Sequence, residues 1–341
     1  ILFSSFIPLS LYVTLEIAKI VQVRRCIEVD EDMYYAPNET WAKARNSSLN
    51  EELGQVEYIF SDKTGTLTQN KMDLLKFSVQ DQVFGTGTTE IGRAVAKLQD
   101  AQLAEVQQQQ QENNNNKGVA TSEECHFRDE RILNGNWISQ EHSESLFQLF
   151  EILSVCHTVI PERDKYQQGK INFQAASPDE GALVKAAKKI GFNFVERTNS
   201  TITIHKEANN DMQQEKLYET RVYTILNVLE FTSARKRMSI IVRTPEGKIM
   251  LFSKGADSVM LPRLRNCQYR TCTESILSHF GDEGLRTLVC ARAELNEQDW
   301  KQWNDTYFEP AKLSLQNRED MLADAADKIE VDMELVGTTA I

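Results

Sequence analysis

An aspartate within a short run of hydroxyl and glycine residues is the strongest chemical signal in the chain. Asp62 begins the heptapeptide DKTGTLT and directly follows residues 51–61, in which Val56, Tyr58 and Phe60 alternate with Glu57, Ile59 and Ser61. Alternation in that stretch predicts a short strand. Ligands collect at the carboxyl ends of strands in open α/β sheets, and a carboxylate placed there can attack a phosphoryl group to form an acyl phosphate.

The residues after Asp62 have the types that such an attack requires. The phosphoryl oxygens must be neutralised by Mg²⁺ and by hydrogen-bond donors. Gly65 allows the backbone to come close, while Thr64 and Thr66 offer hydroxyl and N–H groups. The alternative is a polar turn after a strand.

Several patterns predict the elements that position the rest of the chain. A helix is expected over residues 143–157. A second is expected over residues 178–190, with Ser177 as N-cap, Pro178 first, Glu180 at the capping-box position and Gly191 as the stop. Further predictions are a hairpin around residues 244–247, a helix near 273–280, a strand at 287–291 and another at 334–341.

The first 23 residues form a largely apolar run whose only charges are Glu16 and Lys19, and Arg24 and Arg25 follow them. This pattern predicts the later part of a membrane helix that exits on the cytoplasmic side, with Pro8 as a kink. We therefore expect an integral membrane protein whose residues after about 23 are cytoplasmic. A buried helix of a soluble domain is the alternative.

Composition limits the classes of partner. The chain has 341 residues, 38 Lys and Arg against 50 Asp and Glu, and a formal net charge of −12, so nucleic acid is not an expected partner. Six cysteines without a C-x-x-C pair indicate reduced thiols. The Gln/Asn tract predicts a disordered insertion over about 101–125.

The heptapeptide beginning at Asp62 resembles the phosphorylation signature of P-type ATPases. In many hydrolases of the wider aspartate-based phosphotransferase family, a second Asp stands two residues after the nucleophile. Here that position is Thr64. Without an acid–base group there, an aspartyl phosphate should hydrolyse slowly, which suits a pump better than a phosphatase.

Later motifs are similar to the nucleotide-binding domain of the same family. The resemblance implies that Phe231 stacks adenine, that Lys236 and Lys254 (in a Lys-Gly-Ala motif) line the ATP site, and that Arg286 meets the phosphates. It also implies magnesium ligation by Asp62 and Thr64. The full set of nucleotide-binding residues implied in this way is Asp62, Lys63, Thr64, Glu180, Phe231, Ser233, Lys236, Lys254 and Arg286.

Each of these later residues also has an ordinary structural interpretation. Phe231 alone would more often be a core aromatic residue, Lys254 and Arg286 would be solvated surface charges, and Glu180 would be a helix cap. The ATP-site interpretation depends on all the motifs occurring in one order in one chain.

The subclass comes from three further stretches. Residues 49–56 (LNEELGQV), residues 174–183 (QAASPDEGAL) and residues 8–11 (PLSL) resemble the phospholipid-flippase class, class 4. The resemblance implies ATP-driven phospholipid translocation through an aspartyl phosphate, with ATP as substrate, Mg²⁺ as cofactor, and a membrane and a small accessory subunit as partners.

The resemblance implies a multi-domain α/β fold. We expect a truncated transmembrane helix at 1–23, a stalk with the first part of a Rossmann-like (HAD-type) phosphorylation domain at 24–71, an α+β nucleotide-binding domain with an antiparallel sheet at 72–329, and a second phosphorylation-domain segment starting at 330–341.

Such a chain is a central piece of a flippase, which we expect to bind nucleotide without transporting lipid or phosphorylating itself. Two alternatives stay open. One is a cation-transporting P-type ATPase, which the apolar Leu9 after Pro8 disfavours. The other is a nucleotide-binding protein without transport activity.

Overall fold

A computed structural model of the chain describes residues 9–68, 71–87, 125, 127–163, 171–208, 217–314 and 317–341. The predicted insertion at about 101–125 lies outside these residues except for Cys125, and so does Pro8. The chain divides into two compact units, residues 1–70 and residues 71–341.

The described residues of the first unit form two α-helices, α1 (Leu9–Cys26) and α2 (Leu49–Leu53). An ion pair of 3.2 Å between Lys19 Nζ and Glu51 Oε2 joins them. Within the described residues no helix combines the length and apolar character that a membrane crossing needs. The predicted membrane helix begins in residues 1–8, which are not described.

The strand predicted before Asp62 is wrong. Residues 49–53 form α2, and residues 56–62 follow it as irregular backbone without strand pairing among the described residues. The side chain of Phe60 is 95% exposed. A β-strand is stabilised by cross-strand pairs, and the described part of this unit supplies no neighbouring strand.

In the part of the second unit that the structure describes, nine strands form an antiparallel sheet in the order β2-β1-β11-β10-β9-β8-β7-β6-β5. A separate two-stranded sheet pairs β3 with β4. The strands are β1 (Lys76–Val79), β2 (Gln82–Phe84), β3 (Ile160–Arg163), β4 (Ile171–Gln174), β5 (Phe192–Arg197), β6 (Thr201–Ala208), β7 (Leu217–Leu229), β8 (Arg237–Arg243), β9 (Ile249–Gly255), β10 (Thr287–Leu295) and β11 (Glu334–Ala340).

Helices cover both faces of the large sheet. They are α3 (Ser143–Val155), α4 (Pro178–Ile190), α5 (Asp257–Met260), α6 (Arg270–Asp282), α7 (Glu297–Trp303), α8 (Glu309–Leu313) and α9 (Arg318–Ile329). Alternate residues of β8 face opposite sides. Ile240 lies in a core with α3 and α4, and Ile241 lies in a second core with residues of α5, α6, α7 and α9.

Local sequence signals account for the central elements. The near-continuous apolar runs of β8 and β9 match strands buried on both faces, and the turn at residues 244–247 confirms the predicted hairpin. Helix α4 begins at Pro178 and ends before Gly191, whose φ of 110° is the left-handed conformation that favours glycine. The predicted helices at 143–157 and 273–280 are confirmed as α3 and α6.

The expectation that residues 330–341 open another domain is corrected. Strand β11 pairs with β1 and with β10, inside the nine-stranded sheet. Residues 336–340 are buried there. The sequence pattern identified a strand, but alternation does not reveal which strands will be its neighbours.

Candidate functional site

One edge of the large sheet brings the predicted ligand-binding side chains together. Because neighbouring strands are antiparallel, the ends of β7 and β9 lie beside the starts of β8 and β10. Four of the predicted residues lie at or next to these strand ends: Phe231, Lys236, Lys254 and Arg286. We call this the ligand edge.

A buried ion pair lies at the centre of the ligand edge. Lys254 Nζ is 3.2 Å from Glu180 Oε1, and Lys254 is only 5% exposed. The lysine ammonium makes no well-directed hydrogen bond to any residue that the structure describes. Its described polar partner is therefore the Glu180 carboxylate, through the ion pair.

Glu180 is held as a carboxylate by its surroundings. Its Oε2 accepts hydrogen bonds from Thr158 Oγ1 at 2.7 Å and from Thr158 N at 3.2 Å. Burial alone would raise the pKa of Glu180, but the charge of Lys254 and the hydrogen bonds from Thr158 together lower it. The predicted capping box is not formed, because Glu180 turns to these partners and Ser177 makes no side-chain cap.

Arg286 is paired with an acidic residue that the sequence analysis did not single out. Its Nη1 lies 3.2 Å from both carboxylate oxygens of Asp179, in the first turn of α4. The Arg286 side chain is 65% exposed. Exposed ion pairs of this kind contribute only about 0–1 kcal/mol, so a phosphate could displace Asp179 from the guanidinium.

An exposed loop between β7 and β8 supplies the aromatic residue. Phe231 is 61% exposed, which removes the alternative that it is a core aromatic, and Ser233 and Lys236 are exposed beside it. Lys236 has a φ of 49°. That left-handed conformation costs a lysine about 1–2 kcal/mol, so surrounding contacts must hold it.

Gly255 allows this loop to lie against β9. A Cβ added at Gly255 would come within 2.4 Å of Arg237 Cβ and 2.9 Å of Lys236 O. The amide of Ala256 donates to Lys236 O at 3.0 Å. The Lys-Gly-Ala motif therefore has a structural reason for its glycine: close approach of two backbones.

Three buried side chains near the ion pair are uncharged. Burial, reinforced by the charges of Lys254 and Arg197, lowers the pKa of His157 to about 3. Burial raises the pKa of Cys156 and of Cys290 to about 12. These side chains are therefore neutral near pH 7.

The residues predicted to take part in phosphoryl transfer lie in the first unit, away from this set in sequence. Asp62, Lys63 and Thr64 are exposed. Lys63 O accepts from Leu67 N at 3.1 Å and from Thr68 N at 3.2 Å, and Gly65 has a φ of 80°. The heptapeptide thus forms a compact polar loop, as expected from its glycine and threonines.

No cluster of three or more His, Cys, Asp or Glu suited to a metal occurs within the described ranges. The Asp62 carboxylate and the Thr64 carbonyl are hard oxygen donors of the kind that Mg²⁺ prefers. Magnesium commonly takes one or two carboxylates and completes its shell with water and substrate phosphates. The donor chemistry of this loop fits magnesium.

A family model described as P-type ATPase, cytoplasmic domain N, matches residues 145–341. The chain belongs to the P-type ATPase family. The matched range includes β11, which agrees with its place in the large sheet. It also includes the six site residues of the second unit: Glu180, Phe231, Ser233, Lys236, Lys254 and Arg286.

Curated proteins of Arabidopsis thaliana resemble the chain over its whole length. Probable phospholipid-transporting ATPase 12 of Arabidopsis thaliana is 42% identical over 340 residues, covering 99% of this chain and 28% of that protein. Phospholipid-transporting ATPase 10 of the same organism is 42% identical over 342 residues, and phospholipid-transporting ATPase 6 is 38% identical over 376 residues. The chain spans about 28–30% of the length of these relatives.

Proposed function

We propose that the second unit binds ATP at the ligand edge. The observation that carries this proposal is the buried Lys254–Glu180 pair, 3.2 Å apart, at the same sheet edge as the exposed ring of Phe231. A flat apolar ring suits a purine base, and a lysine ammonium suits a polyanion.

Different residues of the ligand edge contact the adenine and the phosphates of the nucleotide. Phe231 stacks the adenine, and Glu180 and Ser233 flank the base. Lys236, Lys254 and Arg286 supply positive charge, with the planar guanidinium suited to phosphate oxygens. Without nucleotide, the Asp179 carboxylate pairs with the Arg286 guanidinium. The phosphates of ATP take its place.

Asp62 is proposed as the phosphoryl acceptor. One carboxylate oxygen attacks the γ-phosphorus in line, the bond from that phosphorus to the β-γ bridging oxygen breaks, and ADP leaves with the electron pair. The two reacting atoms must approach to about 3–3.5 Å for this step. Magnesium, bound with the nucleotide and in part by Asp62 and Thr64, would neutralise the phosphoryl charge; Lys63 adds a further cation.

The acyl phosphate is proposed to be long-lived. Position 64 carries a threonine, which is a poor acid–base group near neutral pH, so water attack on the aspartyl phosphate lacks that assistance. A persistent covalent intermediate suits an enzyme that couples hydrolysis to a conformational change.

We propose further that the chain is the phosphorylation loop and ATP-binding part of a phospholipid-transporting ATPase, as its relatives are named. In that protein residues 1–23 contribute to a membrane helix, phospholipid is the transported substrate, and a small accessory subunit is a partner. Identity of 42% over essentially the whole chain supports this assignment over a cation-transporting relative.

Titration of the purified chain with ATP, followed by calorimetry, tests the binding proposal. Phe231→Ala and Lys254→Ala should each weaken binding about tenfold or more, because stacking on an aromatic ring contributes about 1–3 kcal/mol and a charged hydrogen bond about 1.5–3 kcal/mol.

Two matched controls lie at the opposite edge of the sheet. Tyr218, at the start of β7, is an exposed aromatic residue, and Lys248 precedes β9. Tyr218→Ala and Lys248→Ala should leave the affinity within about twofold. An affinity lowered equally by all four substitutions, or no binding to the unsubstituted chain, would contradict the proposal.

A further inference from the structure

The loop that presents Lys236 is held from one side by a single buried carboxylate. We call residues 230–237 the Lys236 loop. Lys236 is exposed and has a φ of 49°, whereas its neighbours Arg235 and Arg237 are buried. A lysine keeps this backbone conformation only where contacts with surrounding residues hold it in place.

Both flanking arginines bind Glu330, which follows α9 and is fully buried. Arg235 Nη2 donates to Glu330 Oε1 at 2.5 Å, and Arg237 Nε donates to Glu330 Oε2 at 2.5 Å. One carboxylate, 94 residues beyond Lys236 in sequence, thus joins the residues on each side of it.

Further contacts of the same arginines fix both ends of the loop. Arg235 Nη1 donates to Glu230 O at 2.7 Å, and Arg237 Nη1 donates to Arg235 O at 3.2 Å. Arg237 Nη2 also pairs with Asp327 of α9. The carboxylate of Glu330 therefore anchors side chains that in turn bind the loop backbone.

We propose that Glu330 is a positioning residue for nucleotide binding, which holds the Lys236 loop so that the ammonium of Lys236 faces the phosphates. This inference rests on the proposed ATP site. A buried carboxylate is unfavourable unless it is paired, and both oxygens of Glu330 are paired to the residues that bracket Lys236.

A double-mutant cycle in the whole 341-residue chain tests the inference. The affinity for ATP is measured for the unsubstituted chain, Glu330→Gln, Lys236→Ala and the double variant. If Glu330 acts through Lys236, Glu330→Gln weakens ATP binding about tenfold alone but less than about twofold when Lys236 is already alanine.

Glu151→Gln is the matched control, because it removes a buried carboxylate from α3, in the core on the opposite face of the sheet, where Glu151 binds Tyr223 and Arg221. It should lower the midpoint of urea unfolding without changing the affinity for ATP. If Glu330→Gln lacks a cooperative unfolding transition, Arg235→Lys takes its place in the cycle with the same expected coupling.

Two results would overturn the inference, and they are distinguishable. If Lys254→Ala weakens ATP binding while Glu330→Gln or its replacement leaves it within twofold, or weakens it equally in both Lys236 backgrounds, Glu330 has no positioning role and the proposed ATP site stands. If the unsubstituted chain does not bind ATP, the proposed site fails and the inference fails with it.

Discussion

The heptapeptide loop at residues 62–68 and the ligand edge differ in how their contacts are distributed along the chain. Hydrogen bonds in the heptapeptide loop join residues four or five apart, as between Lys63 and Thr68. At the ligand edge, Arg286 and Asp179 are 107 residues apart, and Arg235 and Glu330 are 95 apart. Local contacts make a site recognisable in one stretch of sequence, whereas long-range contacts make it depend on the fold.

The two regions also differ in their proposed roles: the heptapeptide loop carries out phosphoryl transfer, and the ligand edge binds the nucleotide. The loop around Asp62 is exposed and carries the proposed nucleophile. The ligand edge carries buried charges whose geometry depends on the sheet. Substitutions in the loop should therefore abolish phosphoryl transfer without unfolding the protein, whereas those at the edge should change binding and stability together.

The largest expected effect is on phosphoryl transfer. In the full-length protein that we propose carries this chain, Asp62→Asn should lower labelling from γ-³²P-ATP by a factor of about 10³ or more, because the amide is no nucleophile. The label is measured after acid quench and should be sensitive to hydroxylamine, as an acyl phosphate is. Ser61→Ala, which removes a hydroxyl that donates to Asp62 O at 3.0 Å, is the control and should retain labelling.

Persistence of that label in Asp62→Asn would assign the acceptor to another residue. The assignment of phosphoryl transfer to the heptapeptide loop would then be wrong.

The second effect is on stability at the ligand edge. Gly255→Ala should lower the free energy of unfolding by about 3 kcal/mol, because overpacking against a rigid backbone typically costs about 1–3 kcal/mol. The added Cβ would meet Arg237 Cβ at 2.4 Å, and ATP affinity should fall with the displaced loop. Urea unfolding and calorimetry measure the two effects.

Gly281→Ala is the matched control, since a Cβ at Gly281 in α6 would meet nothing within 4 Å. It should leave both quantities unchanged or slightly raise stability. Equal stability of the two alanine variants would contradict the close approach inferred at Gly255.

The third effect is a pH dependence of stability that arises under the ligand edge. The pKa of His157 falls from 6.5 to about 3 on burial, so below pH 6.5 the unfolded chain takes up a proton that the folded chain does not. The linked contribution is constant above pH 6.5 and falls by about 1.4 kcal/mol per pH unit as pH drops toward 3.

His157→Phe keeps a ring against Phe194, whose centroid is 4.6 Å from the imidazole, and removes the titration. The free energy of unfolding, measured with urea between pH 5 and 6.5, should then depend less steeply on pH. The difference in slope corresponds to the uptake of about one proton fewer on unfolding. If the free energy of unfolding has the same pH dependence in the unsubstituted chain and in His157→Phe, His157 is protonated equally in the folded and unfolded states.

The smallest effect concerns the pair between Asp179 and Arg286. Asp179→Asn should raise ATP affinity about two- to fivefold, because an exposed pair is worth about 0–1 kcal/mol and its loss frees the guanidinium for phosphate. Asp257→Asn, another acidic residue at this edge, controls for the change in net charge. A weaker affinity in Asp179→Asn would give Asp179 a direct role in binding the nucleotide.

The sequence predicted those elements whose signals are local. Pro178 and Gly191 delimit α4, and the turn residues between β8 and β9 delimit their hairpin. The strand predicted before Asp62 failed because strand formation requires a partner, which alternation in one segment cannot supply. Assignment of β11 to another domain failed for the related reason that the pattern does not identify neighbours.

The site was predictable only in part. Glu180, Lys254 and Arg286 were identified through motif resemblance, and the structure adds that Glu180 and Lys254 form a pair. Thr158 and Glu330 were not identified, because their contacts with Glu180 and Arg235 join residues 22 and 95 positions apart. No periodicity or spacing in the sequence encodes such contacts.

The central claim is that ATP occupies the ligand edge. Amide NMR spectra of the ¹⁵N-labelled chain, recorded during titration with ATP, test it most directly. The account predicts that the largest shifts fall at residues 231–237 and 254–256, with little change in the turn at residues 244–248 on the opposite edge. Shifts concentrated in that turn, or no shifts at the ligand edge at saturating ATP, would contradict the account.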